Sequence, residues 1–419
     1  MDRKKEKITG SDKYYDLQMS LSTKSRATDI LLIAVFLLFL FGFAIAGLIL
    51  PDKEWSEQEN RTLMQLPSMS SEYSGSFSEK IRNGKFLDRV ANGKYMSDIT
   101  KYLADQFPMR DAFVGVKSAF EISLGKRENN GVVLGKNGYL IDRDDYPSTE
   151  NLERNLKSIK TFSEVMESRG IKTVFALAGK TEDVMLNELP SLYPVERREK
   201  LWNTVSEYVS GINYIDLRRT IIDSDSSNQL YYRTDHHWTT FGAYVGYEAV
   251  IGVFGAQPYP EDAFEIELVS DSFYGTTWSS AGMKWIKPDS MYYFRYDGDD
   301  KFVTTIDGEK SFCGFYDRVY LEGKDKYSSF LSSNNALVTI RQNDGQERQR
   351  LLIIKDSFSH SMAPFLARHY DLDLIDPRYY RQIIADYVNE NDIDAVLILC
   401  NIDSLTSDVS YAVLSAGIG

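Results

Sequence analysis

Cysteine, histidine and basic charge are all scarce in this 419-residue chain. There are two cysteines, Cys313 and Cys400, with no C-x-x-C pair and no zinc-ligand spacing, so neither a dithiol redox centre nor a cysteine-based zinc site is expected. Cys400 ends the apolar run "DAVLILC" and reads as a small buried hydrophobe, although an oxidising compartment would permit a Cys313–Cys400 disulfide. Net charge is −13, and the first 29 residues carry seven Lys or Arg against five Asp or Glu, which leaves −15 for the remainder. A body that acidic is repelled by phosphate backbones, so nucleic acid is not expected as a partner. No internal repeat and no long low-complexity linker is visible. With 43% hydrophobic and 26% charged residues the composition is that of a globular protein.

What the chain does have is one long apolar run. Residues 30–50, "ILLIAVFLLFLFGFAIAGLIL", hold 21 positions without a charge. As a helix they span about 30 Å, the thickness of a bilayer core. Basic residues precede the run, which predicts a cytoplasmic tail over 1–29, a single-pass anchor over 30–50 and an extracytoplasmic body. Ala44-Ile45-Ala46 resembles a signal-cleavage site, but the apolar run continues to Leu50, which favours an uncleaved anchor.

Residues 51–130 read as a juxtamembrane and helical lead-in, with helical spacing from about Ser76 to Leu124 and a break at Pro108. "GVVLGKNGYLI" alternates around Asn137-Gly138, a hairpin signal. Strand and helix patterns then alternate. "IKTVFALA", "NYIDL", "LLIIK", "LDLID" and "AVLILC" read as strands, and the segments following Ser148, Thr239 and Phe358 read as helices. This rhythm predicts an α/β domain over 131–419, a parallel sheet with helices on both faces. The stretch 257–345 departs from it and reads as a β-rich insertion, whose aromatic residues could be core or could line a sugar groove.

Two of the four histidines stand together in "TDHHWT". In an extended segment Asp235 and His237 share a face while His236 points away, which disfavours one ion held by all three. The i/i+2 pair suits a carboxylate that orients an imidazole, leaving Nε2 as a base. A matching nucleophile stands in "LLIIKDSFSHS", where Ser357 follows an apolar strand and opens a helix. That setting lifts a hydroxyl to the ligand-binding edge of a sheet, and the bland alternative is a simple N-cap. Lys180 and Arg378, each at a strand end, are candidates for binding an oxyanion or a carboxylate, or else for surface ion pairs.

"TDHHWT" together with "KDSF" and "IDPRYY" resembles the bacterial DHHW protein family and is similar to the extracytoplasmic alginate O-acetyltransferases of the SGNH-hydrolase-like superfamily. The likeness runs, with gaps, from "ENRTL" (59–63) through "QFPMRD" (106–111) to near residue 400. It implies an SGNH-hydrolase-like, flavodoxin-like sheet and a triad of Ser357, His237 and Asp235. It also implies an O-acetyltransferase acting on a polysaccharide, no cofactor, and a multi-span membrane-bound O-acyltransferase that supplies acyl groups. Lys355 stands where the usual block has glycine, and no asparagine block is evident. Hydrolysis by the same triad, or a non-catalytic assembly role, are the alternatives.

Overall fold

The computed structural model of the protein describes residues 10–67, 89–143 and 147–418. The first nine residues of the expected tail and the helical spacing expected from Ser76 to residue 88 lie outside them. The chain divides into two compact units, residues 1–56 with 61–114, and residues 57–60 with 115–419.

In the smaller unit one helix runs over Gly10–Ile49. Its stretch Arg26–Ile49 is long and apolar enough to cross a membrane, at about 36 Å by helical rise, and a signal segment would share these properties. Arg61 clamps Asp105 through two hydrogen bonds of 2.9 and 2.6 Å, tying the segment after the long helix to helix Lys94–Asp105.

The larger unit is built on eight strands: β1 Lys172–Ala178, β2 Asn213–Asp216, β3 Phe302–Ile306, β4 Lys310–Cys313, β5 Leu337–Gln342, β6 Arg350–Lys355, β7 Asp371–Ile375 and β8 Ala395–Asn401. They lie in the order β4-β3-β5-β7-β6-β8-β1-β2. The five from β7 to β2 are parallel. The other three are antiparallel, so the sheet is mixed rather than parallel throughout. The reason lies in the stretch 257–345. Its β3–β4 connection is a three-residue turn with Asp307 and Gly308 at positive φ, and so short a turn joins only antiparallel strands. The rest of that stretch includes the separate antiparallel pair Glu265–Phe273 and Asp289–Arg295.

Numbered in chain order, the parallel strands read 4-3-5-1-2 across the sheet. The flavodoxin-like order is 2-1-3-4-5. Counting from β6 instead of β1 converts one into the other, so the chain is a circular permutation of that order.

Side chains alternate between the two faces, and the unbroken apolar runs 351–354 and 395–400 make both faces of β6 and β8 apolar, which explains why these strands are central. Leu351, Ile353, Leu397 and Leu399 face one cluster with Trp238 and Tyr247, before and within helix Thr240–Phe254, and Phe365 from the turn Ala363–Leu366. Leu352, Ile354, Val396 and Ile398 face the other, with Leu156, Phe162 and Trp202 from helices Thr149–Ser168 and Glu196–Tyr208. Each such side chain contributes about 1.5–3 kcal/mol by leaving water.

One expectation is corrected here, and two readings left open by the sequence are narrowed. The helix expected after Ser357 is a 3-10 turn, Ser357–Ser359, followed by the single turn Ala363–Leu366 with Pro364 near its start, because proline cannot donate the bond that would continue a helix through it. Both cysteines are free, and Cys313 on β4 lies five strand positions from Cys400 on β8, about 24 Å at the usual spacing, far beyond disulfide reach. Of the two readings offered for the aromatic residues of 257–345, core holds for Tyr293, Phe294, Phe315 and Phe330, which are buried.

Candidate active site

The order of strand addition switches sides at β6: the next strand, β7, lies on one side of it and the following one, β8, on the other. A crevice at the carboxyl ends of the strands is where such sheets bind ligands, and Ser357 stands there. The turn that presents it is fixed by Asp356. One carboxylate oxygen accepts the Phe358 N–H at 2.9 Å, and the other accepts the Asn401 N–H and the Ser404 hydroxyl, both at 2.7 Å. The side chain thus ties the end of β6 to the end of β8 on either side of Ser357's turn.

The segment carrying Asp235 and His237 is bent, not extended. The backbone N–H of His237 donates to Asp235 Oδ1 at 3.0 Å, which closes a turn and brings His237 Nδ1 to the same oxygen at 2.5 Å. Asp235 Oδ2 accepts the Thr276 N–H at 2.8 Å and its hydroxyl at 3.1 Å. Burial opposes ionising Asp235, but the two neighbouring imidazoles and these hydrogen bonds outweigh it and hold the carboxyl well below the usual range. An ionised carboxylate only accepts, so Nδ1 carries the imidazole proton and Nε2 is the acceptor. That nitrogen lies 2.7 Å from Ser357 Oγ. Ser357, His237 and Asp235 therefore form one hydrogen-bonded line.

The imidazole is held on its faces as well. Tyr327, from the stretch that departs from the α/β rhythm, stacks on His237 with centroids 3.9 Å apart and planes 12° from parallel, and its hydroxyl donates to the Ser357 carbonyl at 3.2 Å. Neither Tyr327 nor Thr276 was visible as a partner in the sequence, because both come from far along the chain with no periodic signal. The His236 ring lies against the His237 ring, centroids 3.9 Å apart and planes tilted by 36°, instead of facing away. The bend removes the alternation on which that expectation rested. Ligand atoms of Asp235, His236 and His237 lie within 4.8 Å of one another, a spacing that a metal ion would also need. Here the proximity is accounted for by hydrogen bonds: both His237 nitrogens are engaged, and His236 Nδ1 lies 2.8 Å from the Thr276 hydroxyl. Trp238 Nε1 donates to Phe358 O and Ser361 Oγ, both at 3.0 Å, coupling the histidine loop to the serine turn.

Ser357 opens into a cavity of about 250 Å³. Lys180 and Arg378 both line it, each already matched to an acid: Lys180 Nζ with Asp403 at 2.8 Å, Arg378 with Asp376 through bonds of 2.9 and 2.6 Å. Asn401 lines it too, and its amide donates to Gly179 O at 2.9 Å with a second N–H in hand. Its signal was present in "LILCNID", an asparagine directly after an apolar strand, one position beyond where periodicity ends that strand. His360 is buried with Nε2 2.7 Å from Lys355 Nζ, so it neither faces solvent nor competes for Ser357. Burial pushes the Lys355 ammonium down to about 8 despite the nearby Asp376.

With this geometry in place, the known proteins most similar to the chain can be set beside it. The family described as DHHW protein matches residues 201–374, a span that includes the Asp-His-His-Trp segment and Ser357. A probable alginate O-acetylase AlgJ from Pseudomonas putida is 25% identical over 151 residues, 35% of this chain and 39% of the relative. The match thus spans about two fifths of that curated relative's length. Among solved structures, a DHHW family protein from Eubacterium siraeum has a TM-score of 0.57 at 19% identity, covering 68% of this chain and 95% of its own. Bacillus cereus PatB1, solved with a sulfonyl adduct, has a TM-score of 0.55 at 18% identity, covering 67% of this chain and 98% of its own. These structural likenesses establish the shared fold. The resemblance to the DHHW family read from the sequence is borne out.

Proposed function

We propose that the protein is a membrane-anchored, extracytoplasmic O-acetyltransferase of SGNH-hydrolase-like type that modifies a cell-surface or secreted polysaccharide through an acyl-serine. The observation that carries this reading is the unbroken line from Asp235 through His237 to Ser357, ending in a cavity. The name of the AlgJ relative supplies the acetyl group and the polysaccharide class.

In the first half-reaction Ser357 Oγ attacks the donor's acyl carbon while His237 Nε2 takes the hydroxyl proton. Asp235 stabilises the resulting imidazolium. The developing oxyanion is bound by the Ser357 N–H and by the second amide hydrogen of Asn401. Collapse expels the leaving group, which collects the proton from His237. In the second half-reaction a sugar hydroxyl gives its proton to His237 and attacks the acyl-serine, and the proton then returns to Ser357 Oγ. Lys180 and Arg378 border the acyl site as substrate-binding groups. The anchor over 30–50 holds the site beside the bilayer, with the N-terminus cytoplasmic. Acyl groups then come from a multi-span membrane-bound O-acyltransferase, since a single span cannot itself conduct them.

The test is acylation of the full-length protein by a chromogenic acetyl ester, followed by peptide mass spectrometry. An acetyl group on the Ser357 peptide, absent from Ser357→Ala, is expected. A folded wild-type protein that stays unlabelled refutes the reading.

A further inference from the structure

The carboxyl end of helix Gly10–Ile49 is packed by protein. Phe43 and Phe39 lie six and ten residues inside that end, about 9 and 15 Å by helical rise. Phe107 stacks on Phe43 with centroids 5.3 Å apart and planes 1° from parallel, and Phe113 meets Phe43 and Phe39 edge-on at 5.5 and 6.3 Å. Pro108 covers Gly47, where an added Cβ would stand 3.9 Å from the proline ring. These three residues belong to the turn after helix Lys94–Asp105 and to the start of helix Arg110–Ser123. With the apolar stretch Arg26–Ile49 across a bilayer, whatever packs on Phe39 and Phe43 shares their depth, below the headgroups. The backbone of the turn suits that phase: Pro108 has no N–H, and the N–H groups of Arg110, Ala112 and Phe113 are taken by the carbonyls of Phe107 and Met109.

The same segment is two-sided. Its polar edge is engaged within the protein: Tyr102 donates its hydroxyl to Asp52 at 3.1 Å, Asp105 accepts the Met64 N–H at 2.8 Å, and the Gln106 amide donates to Lys53 O and Met64 O at 2.9 and 3.0 Å. Its apolar edge is not. Among the described residues, helix Lys94–Asp105 buries none of its side chains. Met96, Ile99 and Leu103 recur at intervals of three and four, one face of a helix, with Met96 and Leu103 exposed, and Met109 at the turn is 69% exposed. Both acids of the helix are matched, Asp98 with Arg89 at 3.1 Å and Asp105 with Arg61. Lys94 and Lys101 are exposed on the same helix, and their long stems let the ammonium groups reach headgroups. An apolar stripe that adjoins a membrane helix and is edged by lysine is the pattern of an interfacial helix.

We propose that the segment Lys94–Phe113 is a second membrane attachment, seated in the leaflet at the carboxyl end of the anchor, with Met96, Leu103 and Met109 among the acyl chains. The proposal rests on the anchor reading above and goes beyond it: the long helix crosses the bilayer, and this segment lies in its surface. Lipid is the occupant because the stripe adjoins Phe107 and Phe113, which the packing on Phe43 and Phe39 already holds at hydrocarbon depth.

The experiment uses the full-length chain in vesicles of phosphatidylethanolamine and phosphatidylglycerol. Cys313→Ser removes the exposed thiol, and buried Cys400 is left in place. Single nitroxide labels are then attached through Leu38→Cys in the span, Leu103→Cys or Met109→Cys in the segment, and Glu164→Cys on the exposed face of helix Thr149–Ser168. Each label's collision rates are measured with dissolved oxygen, which concentrates in hydrocarbon, and with a polar nickel chelate, which stays in water. Labels at 103 and 109 are expected to show an oxygen-to-nickel ratio at least about fivefold above the label at 164, approaching that at 38. Two positions are labelled so that, if one variant does not fold, the other decides. Labels at 103 and 109 that match 164, with 38 shielded from nickel, overturn the proposal and leave the anchor standing. Shielding from both reagents at 103 and 109 reports burial against protein, a partner or a second copy, and overturns it as well. A label at 38 open to nickel removes the anchor and the proposal together.

Discussion

Gly275 offers a way to disturb the triad without substituting any of its three residues. Its backbone is extended, at φ −81° and ψ −170°, so any residue could adopt the conformation and the need for glycine is purely steric. A Cβ built there would stand 2.2 Å from Asp235 Cβ and 2.3 Å from its Oδ2. Ordinary contact begins near 3.4 Å, so Gly275→Ala must open a gap of 3.4 less 2.2, or about 1.2 Å. The loop cannot simply retreat, because the neighbouring Thr276 N–H is itself bound to that carboxylate. A 2.5 Å bond between Asp235 and His237 does not survive a shift of that size. Misplacement by about 1 Å costs on the order of 10²-fold in rate, and complete loss of the orienting carboxylate on the order of 10⁴-fold. Overpacking should also cost about 1–3 kcal/mol of stability. The assay is the acylation rate of Ser357 by a chromogenic ester, with thermal melting to show that the variant is folded. Gly252→Ala is the control, since its Cβ meets nothing within 4 Å and should leave the rate unchanged. A Gly275→Ala protein acylating within threefold of wild type would refute the argument that Asp235 must stand where it does.

Other perturbations test the remaining parts. Ser357→Ala and His237→Ala should each abolish acylation, read by mass spectrometry, whereas His236→Ala should lower the melting temperature more than the rate. Asp235→Asn should cut the rate on the order of 10⁴-fold, since an amide cannot accept from both His237 and Thr276. The folded pKa of Asp235 lies below its unfolded value, so its stabilisation is present above about pH 4 and lost as pH falls below that; the stability gap between wild type and Asp235→Asn should close in acid. Asn401→Ala should slow acylation about 10²- to 10³-fold if its amide binds the oxyanion, measured as kcat with the ester. Lys355 is depressed to about 8, so its burial penalises the fold below that pH and the penalty fades as pH rises toward the unfolded value near 10. Denaturant titrations should therefore show wild type gaining up to about 1.4 kcal/mol per pH unit over Lys355→Met between pH 8 and 10.

Strands with an unbroken apolar run announce themselves, and β6 and β8 were readable from "LLIIK" and "AVLILC" alone. So was the hairpin at Asn137-Gly138, where both residues take positive φ. What periodicity could not reveal was which strands are neighbours. The antiparallel extension by β3, β4 and β5 depends on long-range pairing, such as Val338 with Leu374, that leaves no local mark. The site was legible to the extent that its chemistry is local. The Asp-x-His spacing and the strand–serine junction are both short-range patterns. Tyr327, Thr276 and Asn401 act through the fold, from a 3-10 turn, a short helix and a strand end, and only the last belonged to a recognisable strand. Even a sound local inference rested on a wrong premise: Asp235 and His237 are close because the chain bends there, not because it is extended.

The permuted strand order explains why the histidine loop precedes the serine. If counting starts at β6, Ser357 follows the first strand of a 2-1-3-4-5 sheet, and the Asp235–His237 loop follows the fifth, β2. Both loops then emerge at the carboxyl edge, where the sheet's twist and the β6 switch point leave a crevice. Cutting such a fold elsewhere changes which loop is read first but not where either one lies in space. The demands on the site are distances of a few ångströms between an alcohol, an imidazole and a carboxylate, and those are set by strand adjacency rather than by chain order. A permuted sheet can therefore satisfy them with the histidine loop ahead of the serine in the chain, provided a tie holds the two loops together. Trp238, donating to both Phe358 O and Ser361 Oγ, is that tie. Its substitution by phenylalanine, which keeps the ring and removes the donor, would leave the sheet intact while loosening the registry of imidazole against hydroxyl.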